Sequence, residues 1–146
     1  MNRKGNNCCK SISDCGPNPY VTDLSKATQN NENYRTALWT GTHLQLTAMC
    51  IPIKGEIGME VHPDTDQFLC IVSGEGRALM GSCKEQLNKQ CNVSVGDAVF
   101  VPAGTWHNIC NSGSCPLKIY TIYAPPHHPR GTVESTKETA DKKYLF

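Results

Sequence analysis

The sequence predicts an all-β fold of antiparallel strands, arranged as a sandwich or a jelly-roll barrel. Three observations indicate this class: several short apolar runs of strand length, Gly and Pro residues that separate these runs, and the lack of a long amphipathic helical pattern. Evenly spaced short strands are typical of two-layer β structures. A chain of 146 residues suits one domain with a single core or barrel interior.

The N-terminal part of the chain is polar. Residues 1–19 have a composition that buries little apolar surface, so they are predicted to form a disordered, Cys-containing leader that is dispensable for folding. The domain is expected to span residues 20–126. In the polar stretch that follows the leader, Ser25 is expected to cap one helical turn.

Apolar runs predict the strands of the domain. These runs lie at 36–40, 43–51, 59–62, 68–72, 76–81, 93–95, 98–101 and 117–124. The turn residues before and after the run 68–72 predict two hairpins, which would join it to its neighbours in sequence. The charged stretch 82–92 predicts a loop or a short helix.

One strand has a face that is more polar than the other. In the run 43–51, His43, Gln45 and Thr47 alternate with apolar residues. Gln45 is therefore a candidate for lining a pocket if this face points into a barrel, and the alternative is an outward polar face.

Two stretches carry side chains that suit a metal ion. Glu60 and His62 alternate in one predicted strand, so they project from the same face. Gln67 follows the next turn, and His107 lies just inside the strand after a second turn. The sequence therefore predicts a divalent metal site at Glu60, His62, Gln67 and His107, with Zn, Mn, Fe, Ni or Co as the ion. For Gln67, the alternative is a hydrogen bond to a bound water.

Other polar residues near these stretches are left out of the predicted site. Asp64 and Asp66 each suit a turn better than a pocket. His127 and His128 are neighbours, and neighbours on an extended chain face opposite ways, so solvent exposure is favoured for both. They belong to residues 127–146, which are predicted to form a C-terminal surface tail because the two prolines before them end the sheet.

The two stretches resemble the two cupin motifs, G(X)5HXH(X)3,4E(X)6G and G(X)5PXG(X)2H(X)3N. The second motif matches at every fixed position, namely Gly96, Pro102, Gly104, His107 and Asn111. In the first motif, Glu60 replaces the first His, Gln67 replaces the usual Glu, and the opening spacer is one residue shorter. The usual ligand set and this one carry the same formal charge, so a divalent cation should still bind.

The resemblance covers about residues 35–125 and implies a cupin double-stranded β-helix, a jelly-roll barrel with the metal between its sheets. It also implies a homodimer, as is usual for small single-domain bacterial cupins. The run from Tyr120 to Lys137 is similar to the C-terminal end of proteins labelled mannose-6-phosphate isomerase-like. The barrel serves many activities, so the fold alone does not define the reaction.

Two functions follow from this interpretation. The first is an enzyme that uses the divalent metal as a Lewis acid on a small molecule, as a sugar-phosphate isomerase-like enzyme or an oxygenase. No proton-moving base is identified, since Glu60 is a poor base if it binds the metal. The alternative is a non-catalytic metal-binding, ligand-binding or structural module, such as part of a spore layer.

The amino-acid composition limits the classes of binding partner and the cellular compartment that are expected for this protein. The net charge is +1, from 14 basic and 13 acidic residues, and no basic block indicates a nucleic acid or an anionic membrane as a partner. No apolar segment is long enough to span a membrane and no export signal is recognised. The nine cysteines form no zinc-knuckle pattern, and reduced thiols in the cytoplasm are expected, with cross-linking through the leader as the alternative.

Overall fold

The computed structural model describes residues 14–143. In this part of the chain there are nine strands and two helices. The strands are β1 (Arg35–Thr40), β2 (Gln45–Ile51), β3 (Asp66–Ser73), β4 (Gly76–Gly81), β5 (Lys89–Val93), β6 (Ala98–Val101), β7 (Trp106–Asn111), β8 (Leu117–Ala124) and β9 (Val133–Glu134). The helices are α1 (Leu24–Asn30) and α2 (Lys137–Lys143). No helix within these described residues is long and apolar enough to cross a membrane.

The strands form two antiparallel sheets, which confirms the predicted all-β fold. One sheet has six strands in the order β6-β3-β8-β2-β1-β9, and the other has three in the order β5-β4-β7. The core joins both sheets, because Leu69 and Ile119 of the larger sheet belong to one buried cluster with Ala78 and Ile109 of the smaller sheet. The two sheets are packed layers and do not close into a barrel.

The two hairpins predicted around β3 do not form. β3 pairs with β6 and β8, while β4 pairs with β5 and β7 in the other sheet. The short link that contains Gly74 therefore leads the chain from one sheet to the other. Residues 59–62 were also predicted as a strand, and they form only an isolated bridge from Glu60 to His107. Gly58, which lies directly before this segment, has a φ of 104° and is not in an extended conformation.

β5 lies where the sequence predicts a loop or a short helix. Four of its five residues are exposed, because β5 is an edge strand of the smaller sheet. The helix after the leader is present, but its N-cap is Asp23, whose carboxylate accepts a hydrogen bond from the Lys26 amide at 3.1 Å. Ser25 lies inside the first turn, so the prediction of Ser25 as the cap is wrong.

The C-terminal segment is part of the fold up to residue 143. β9 pairs with β1, the Glu134 side chain is fully buried, and Ala140 of α2 belongs to the core cluster. Most residues of 127–143 are nevertheless exposed, and the description of this segment as a surface tail stays a prediction. These residues contribute few apolar side chains, which explains why their sequence resembles an exposed tail.

The residues just before the predicted domain start are also packed. Asp14 is buried and accepts hydrogen bonds from the backbone amides of Gly16, Thr40 and Gly131 and from the Thr40 hydroxyl. The prediction of a disordered leader is thus wrong for residues 14–19, and for residues 1–13 it lies outside the described residues. Cys15 is disulfide-bonded, so the expectation of reduced thiols does not hold for this cysteine.

We expect Asp14→Ala to lower the free energy of unfolding by about 2–4 kcal/mol, since it leaves several buried donors without their charged acceptor. Burial by itself raises the pKa of Asp14. The hydrogen bonds that Asp14 accepts from Thr40, Gly131 and Gly16 lower the pKa by more than burial raises it, so the net pKa lies below the ordinary 3.8. The stabilisation should therefore be complete above pH 3.8 and should be lost as the pH falls through the lower folded-state pKa.

Denaturant unfolding of the Asp14→Ala variant at several pH values measures this effect. Asp64→Ala is the matched control, because it removes an exposed carboxylate from a turn. Equal unfolding free energies for the two variants at neutral pH would show that Asp14 does not anchor the N-terminal segment.

Candidate metal centre

His107 lies in β7, with its side chain directed into the protein. It is 2% exposed, and its Nδ1 lies 3.0 Å from the Thr105 carbonyl oxygen. A carbonyl oxygen only accepts hydrogen bonds, so Nδ1 carries the proton and Nε2 keeps its lone pair. The Nε2 atom is buried and has no hydrogen-bond partner among the described residues. The local backbone thus presents His107 as a nitrogen ligand.

Glu60 is held directly opposite His107. The backbone amide of each residue donates to the carbonyl of the other, at 2.9 Å in both directions. This exchange makes the two residues an antiparallel pair, although the segment that contains Glu60 forms only an isolated bridge and not a strand. The Glu60 Oε2 atom lies 3.7 Å from His107 Nε2.

His62 is positioned by the turn of the second motif. The Gly104 amide donates to the His62 carbonyl at 2.8 Å, and Gly104 has a φ of 79°, in the left-handed region that favours glycine. The His62 side chain is 5% exposed, and its Nε2 lies 3.4 Å from Glu60 Oε2. Neither ring nitrogen has a hydrogen-bond partner among the described residues.

The structure therefore brings together three of the four predicted ligands. One ligand atom from each of Glu60, His62 and His107 lies within 4.8 Å of the others. Two imidazole nitrogens and a carboxylate oxygen form a donor set that Zn, Mn, Fe, Ni and Co accept. Because both ring nitrogens of His62 and the Nε2 atom of His107 are buried without a hydrogen-bond partner among the described residues, the residues present fit a bound cation.

The protonation states also suit a metal. Burial by itself raises the pKa of Glu60. The neighbouring His62, Arg35 and His107 lower the pKa by more than burial raises it, so the net pKa lies below the ordinary value. Burial lowers the pKa of His107, and this outweighs the opposing effects of the Thr105 hydrogen bond and the Glu60 charge. At neutral pH the carboxylate is ionised and His107 is neutral, which are the forms that bind metal ions.

Gln67, the fourth predicted ligand, lies in β3 between Val101 of β6 and Tyr123 of β8. Its side chain is 4% exposed, and its Oε1 atom is buried without a hydrogen-bond partner among the described residues. A buried amide oxygen with no donor is available to a cation or to a bound water. Its role as a ligand stays a prediction.

His127 and His128 do not extend into solvent as a pair. The Gln45 side chain accepts hydrogen bonds from both of their backbone amides, at 3.2 and 2.9 Å, and donates to the His128 carbonyl at 2.8 Å. His128 is buried beside the Tyr123 hydroxyl, so the prediction of exposure is wrong for this residue. His127 remains partly exposed, but its ring centroid lies 4.1 Å from that of His62. Gln45 itself is fully buried, which confirms the inward alternative for its face.

A cavity of about 360 Å³ is lined by two of these three residues, Glu60 and His62. Its walls include Glu60, His62, Tyr34, Arg35, Trp106 and His127. Ala140 and Asp141 of α2 complete one side. The C-terminal segment, which the sequence analysis did not connect with the site, thus forms part of the cavity wall.

Arg35 is the one cationic residue in this cavity wall among the described residues. Its side chain is 2% exposed, its Nη1 donates to Glu134 Oε1, and its Nη2 lies 3.8 Å from Glu60 Oε1. Burial by itself lowers the pKa of Arg35. The neighbouring Tyr123, Tyr34 and Glu60 raise the pKa by more than burial lowers it, so the guanidinium stays charged. The only signal in the sequence is a charge at the first position of an apolar strand.

Comparison with known proteins agrees with this architecture. The Cupin_2 family model, a cupin domain, matches residues 47–123. YrkC of Bacillus subtilis is 53% identical over 129 residues, covering 88% of this chain and 69% of YrkC. Protein L612 of Acanthamoeba polyphaga mimivirus is 39% identical over 116 residues, covering 79% of this chain and 71% of L612.

A solved structure extends the likeness to three dimensions. The crystal structure of BH2720 from Bacillus halodurans matches with a TM-score of 0.88 at 48% identity, covering 89% of this chain and 98% of that chain. The family model spans more than half of the chain, and the matched region contains all four predicted ligands and the second motif. This chain belongs to the cupin family.

Proposed function

We propose that this cupin binds one divalent metal ion through Glu60, His62 and His107 and acts on a small molecule held in the adjacent cavity. The observation that carries the proposal is the convergence of one ligand atom from each of these residues within 4.8 Å, with Glu60 and His62 lining the cavity. A bound divalent ion supplies a Lewis acid that polarises an oxygen atom of the substrate. Gln67 is proposed as a fourth ligand through its amide oxygen.

The neighbours of the metal-binding residues hold these residues in position before a metal ion or substrate binds. Thr105 fixes the tautomer of His107, and Gly104 fixes the backbone of His62. Partners of this kind orient metal ligands and maintain their affinity. His127 lies beside His62 without joining the ligand cluster, so it is placed to contact the bound molecule.

The reaction is proposed as either an isomerisation of a sugar phosphate or an oxygenation. Two His and one carboxylate suit both, because such a set leaves open positions on Zn, Mn or Fe(II). The similarity to proteins labelled mannose-6-phosphate isomerase-like stays a prediction. Turnover of aldose and ketose phosphates, compared with oxygen consumption under the same metals, distinguishes the two reactions.

Metal analysis of the untagged protein, purified without chelators, tests the proposed site directly. We expect one equivalent of a divalent metal and a higher melting temperature for the loaded protein than for the stripped protein, since the ion binds the folded state. A protein that contains no metal and takes up none of Zn, Mn, Co or Fe(II) would refute the proposal.

Substitutions at Gln67 test the fourth ligand. If its amide oxygen binds the ion, Gln67→Glu should tighten binding by adding a negative charge, and Gln67→Leu should weaken it. If Gln67 instead orients a bound water, Leu should cost about 10- to 100-fold in affinity or activity. Titration of stripped protein with Zn, Mn, Co and Fe(II) measures these affinities. Equal affinities for Gln, Glu and Leu would leave a three-ligand site.

The second candidate function is a non-catalytic module that holds its metal or ligand as part of a larger assembly. The free and exposed thiols of Cys91 and Cys115 favour it, because they offer sites for cross-linking. A lack of turnover on every substrate tested, together with disulfide-linked oligomers under air, would support this function over the enzyme.

The oligomeric state and location belong to the same proposal. Phe100 is 70% exposed and packs against Phe68 with ring centroids 5.0 Å apart, which gives an apolar patch that a homodimer would cover. Six of the seven cysteines among residues 14–143 are free and Cys15 is disulfide-bonded, and this largely reduced set supports a cytoplasmic location.

A further inference from the structure

One edge of the Arg35 guanidinium makes no hydrogen bond to another described residue, although its Nη2 lies within ion-pair distance of Glu60. Its Nη1 donates to Glu134, but Nε and Nη2 are buried and have no hydrogen-bond partner among the described residues. These two nitrogens form one edge of the planar guanidinium, the edge that binds a carboxylate through two parallel N–H···O bonds. Buried charged donors without acceptors are unfavourable, so this edge indicates a ligand.

The edge lies next to the metal ligands. The Glu60 Oε2 atom is 3.4 Å from His62 Nε2, while the Oε1 atom of the same carboxylate is 3.8 Å from Arg35 Nη2. One carboxyl group therefore spans the distance from the ligand cluster to the guanidinium. Arg35 also lines the same cavity as Glu60 and His62.

The charges of the site favour an anion. Arg35 and Glu134 compensate each other, and Asp141 at the cavity wall is paired with Lys137 at 2.7 Å. A divalent ion and the Glu60 carboxylate then leave a net charge of +1, which matches one carboxylate. A cavity of about 360 Å³ has room for a molecule of a few carbon atoms.

We propose that the ligand of this cupin is a small carboxylic acid, with its carboxylate on the Nε and Nη2 edge of Arg35 and an adjacent oxygen directed to the metal site. This inference rests on the proposed metal site and names its substrate class, which favours the oxygenation over the isomerisation of a sugar phosphate. Arg35 is the residue that determines specificity for the carboxylate. The net charge of +1 at the site matches the single charge of a carboxylate better than the double charge of a phosphate dianion.

Binding to the cobalt-loaded protein tests the inference without measuring turnover. The protein is first loaded with Co(II), and its metal stoichiometry is determined. Glycolate, its neutral methyl ester and inorganic phosphate are then titrated while the visible spectrum of the cobalt is recorded. We expect glycolate to bind about 10- to 100-fold more tightly than methyl glycolate, as is usual for a hydrogen-bonded charge pair, and more tightly than phosphate.

Variants of the ion pair identify the residue responsible. Arg35→Lys keeps the charge but removes the two-donor edge, and it should weaken glycolate binding about tenfold with cobalt stoichiometry retained. Lys142→Ala, which removes an exposed cation from α2 that does not line the cavity, is the matched control and should leave glycolate binding unchanged.

The outcomes separate the two proposals. A chain that takes up no cobalt overturns both the metal site and the carboxylate inference. A chain that takes up one equivalent of cobalt but binds glycolate no more tightly than methyl glycolate or phosphate overturns the carboxylate inference alone. Unchanged glycolate binding in Arg35→Lys overturns the assignment to Arg35.

Discussion

The variant with both His62→Ala and His107→Ala is expected to contain no stoichiometric metal. The double change removes two of the three converging ligand atoms and leaves Glu60 as the only remaining member of the cluster. A single carboxylate does not hold a borderline divalent cation against water. Metal analysis of the variant and of the original protein, purified side by side, measures the loss.

Two controls make this result specific. His43→Ala removes an exposed imidazole outside the site and should leave the metal content unchanged. The circular dichroism spectrum of the double variant shows whether the sheets still form, because both replaced side chains are buried. A full equivalent of metal in the folded double variant would show that other residues hold the ion.

The residues of the candidate metal site were predictable where local backbone geometry defines their positions. In the second motif, Gly104 takes a left-handed conformation and its amide binds the His62 carbonyl, while Thr105 orients the His107 ring. These roles require particular residues at fixed spacings, so they leave a readable pattern. Glu60 was recognised from alternation although its segment is not a strand, because its pairing with His107 still sets its direction.

Other elements left no such pattern. β5 is an edge strand with four exposed residues, and α2 buries only Ala140. A period of two or of 3.6 is detectable only when several side chains of an element face the core. Polar elements of this kind are held by a few tertiary contacts, so their sequences resemble loops and tails.

The position of His127 depends on a contact distant in sequence. Gln45 binds the backbone amides of His127 and His128 across more than 80 residues of chain. The rule that adjacent side chains on an extended chain face opposite ways does not hold for this anchored turn, in which both rings pack around Tyr123. Sequence reasoning about local geometry therefore missed one wall of the cavity.

Replacing Glu134 by Leu is expected to lower the free energy of unfolding by about 3–5 kcal/mol. Glu134 is fully buried and pairs with Arg35, which is also buried. Removing the carboxylate leaves the guanidinium charge in the interior without its main partner. Lys143, at 3.8 Å from Glu134, is about half exposed and can turn to solvent, so it adds little to the cost.

The double change Arg35→Met with Glu134→Leu should recover most of this stability, since replacing both members of a buried ion pair by apolar residues is often nearly neutral. Denaturant unfolding of the two single variants and the double variant gives the coupling energy. Asp141→Ala, which breaks an exposed ion pair with Lys137, is the control and should change stability by less than about 1 kcal/mol. Additive effects of the two single changes would show that the pair is not coupled.

The same variants also test whether the buried ion pair of Arg35 and Glu134 affects metal binding. Arg35 Nη2 lies 3.8 Å from Glu60 Oε1, so a guanidinium that has lost Glu134 has Glu60 as its nearest remaining carboxylate. Pairing with Arg35 would compete with the metal ion for the Glu60 carboxylate. We therefore expect Glu134→Leu to weaken metal binding and the double variant to restore it, as measured by titration of stripped protein. Unchanged metal affinity in folded Glu134→Leu would show that Glu60 keeps its position without the buried pair.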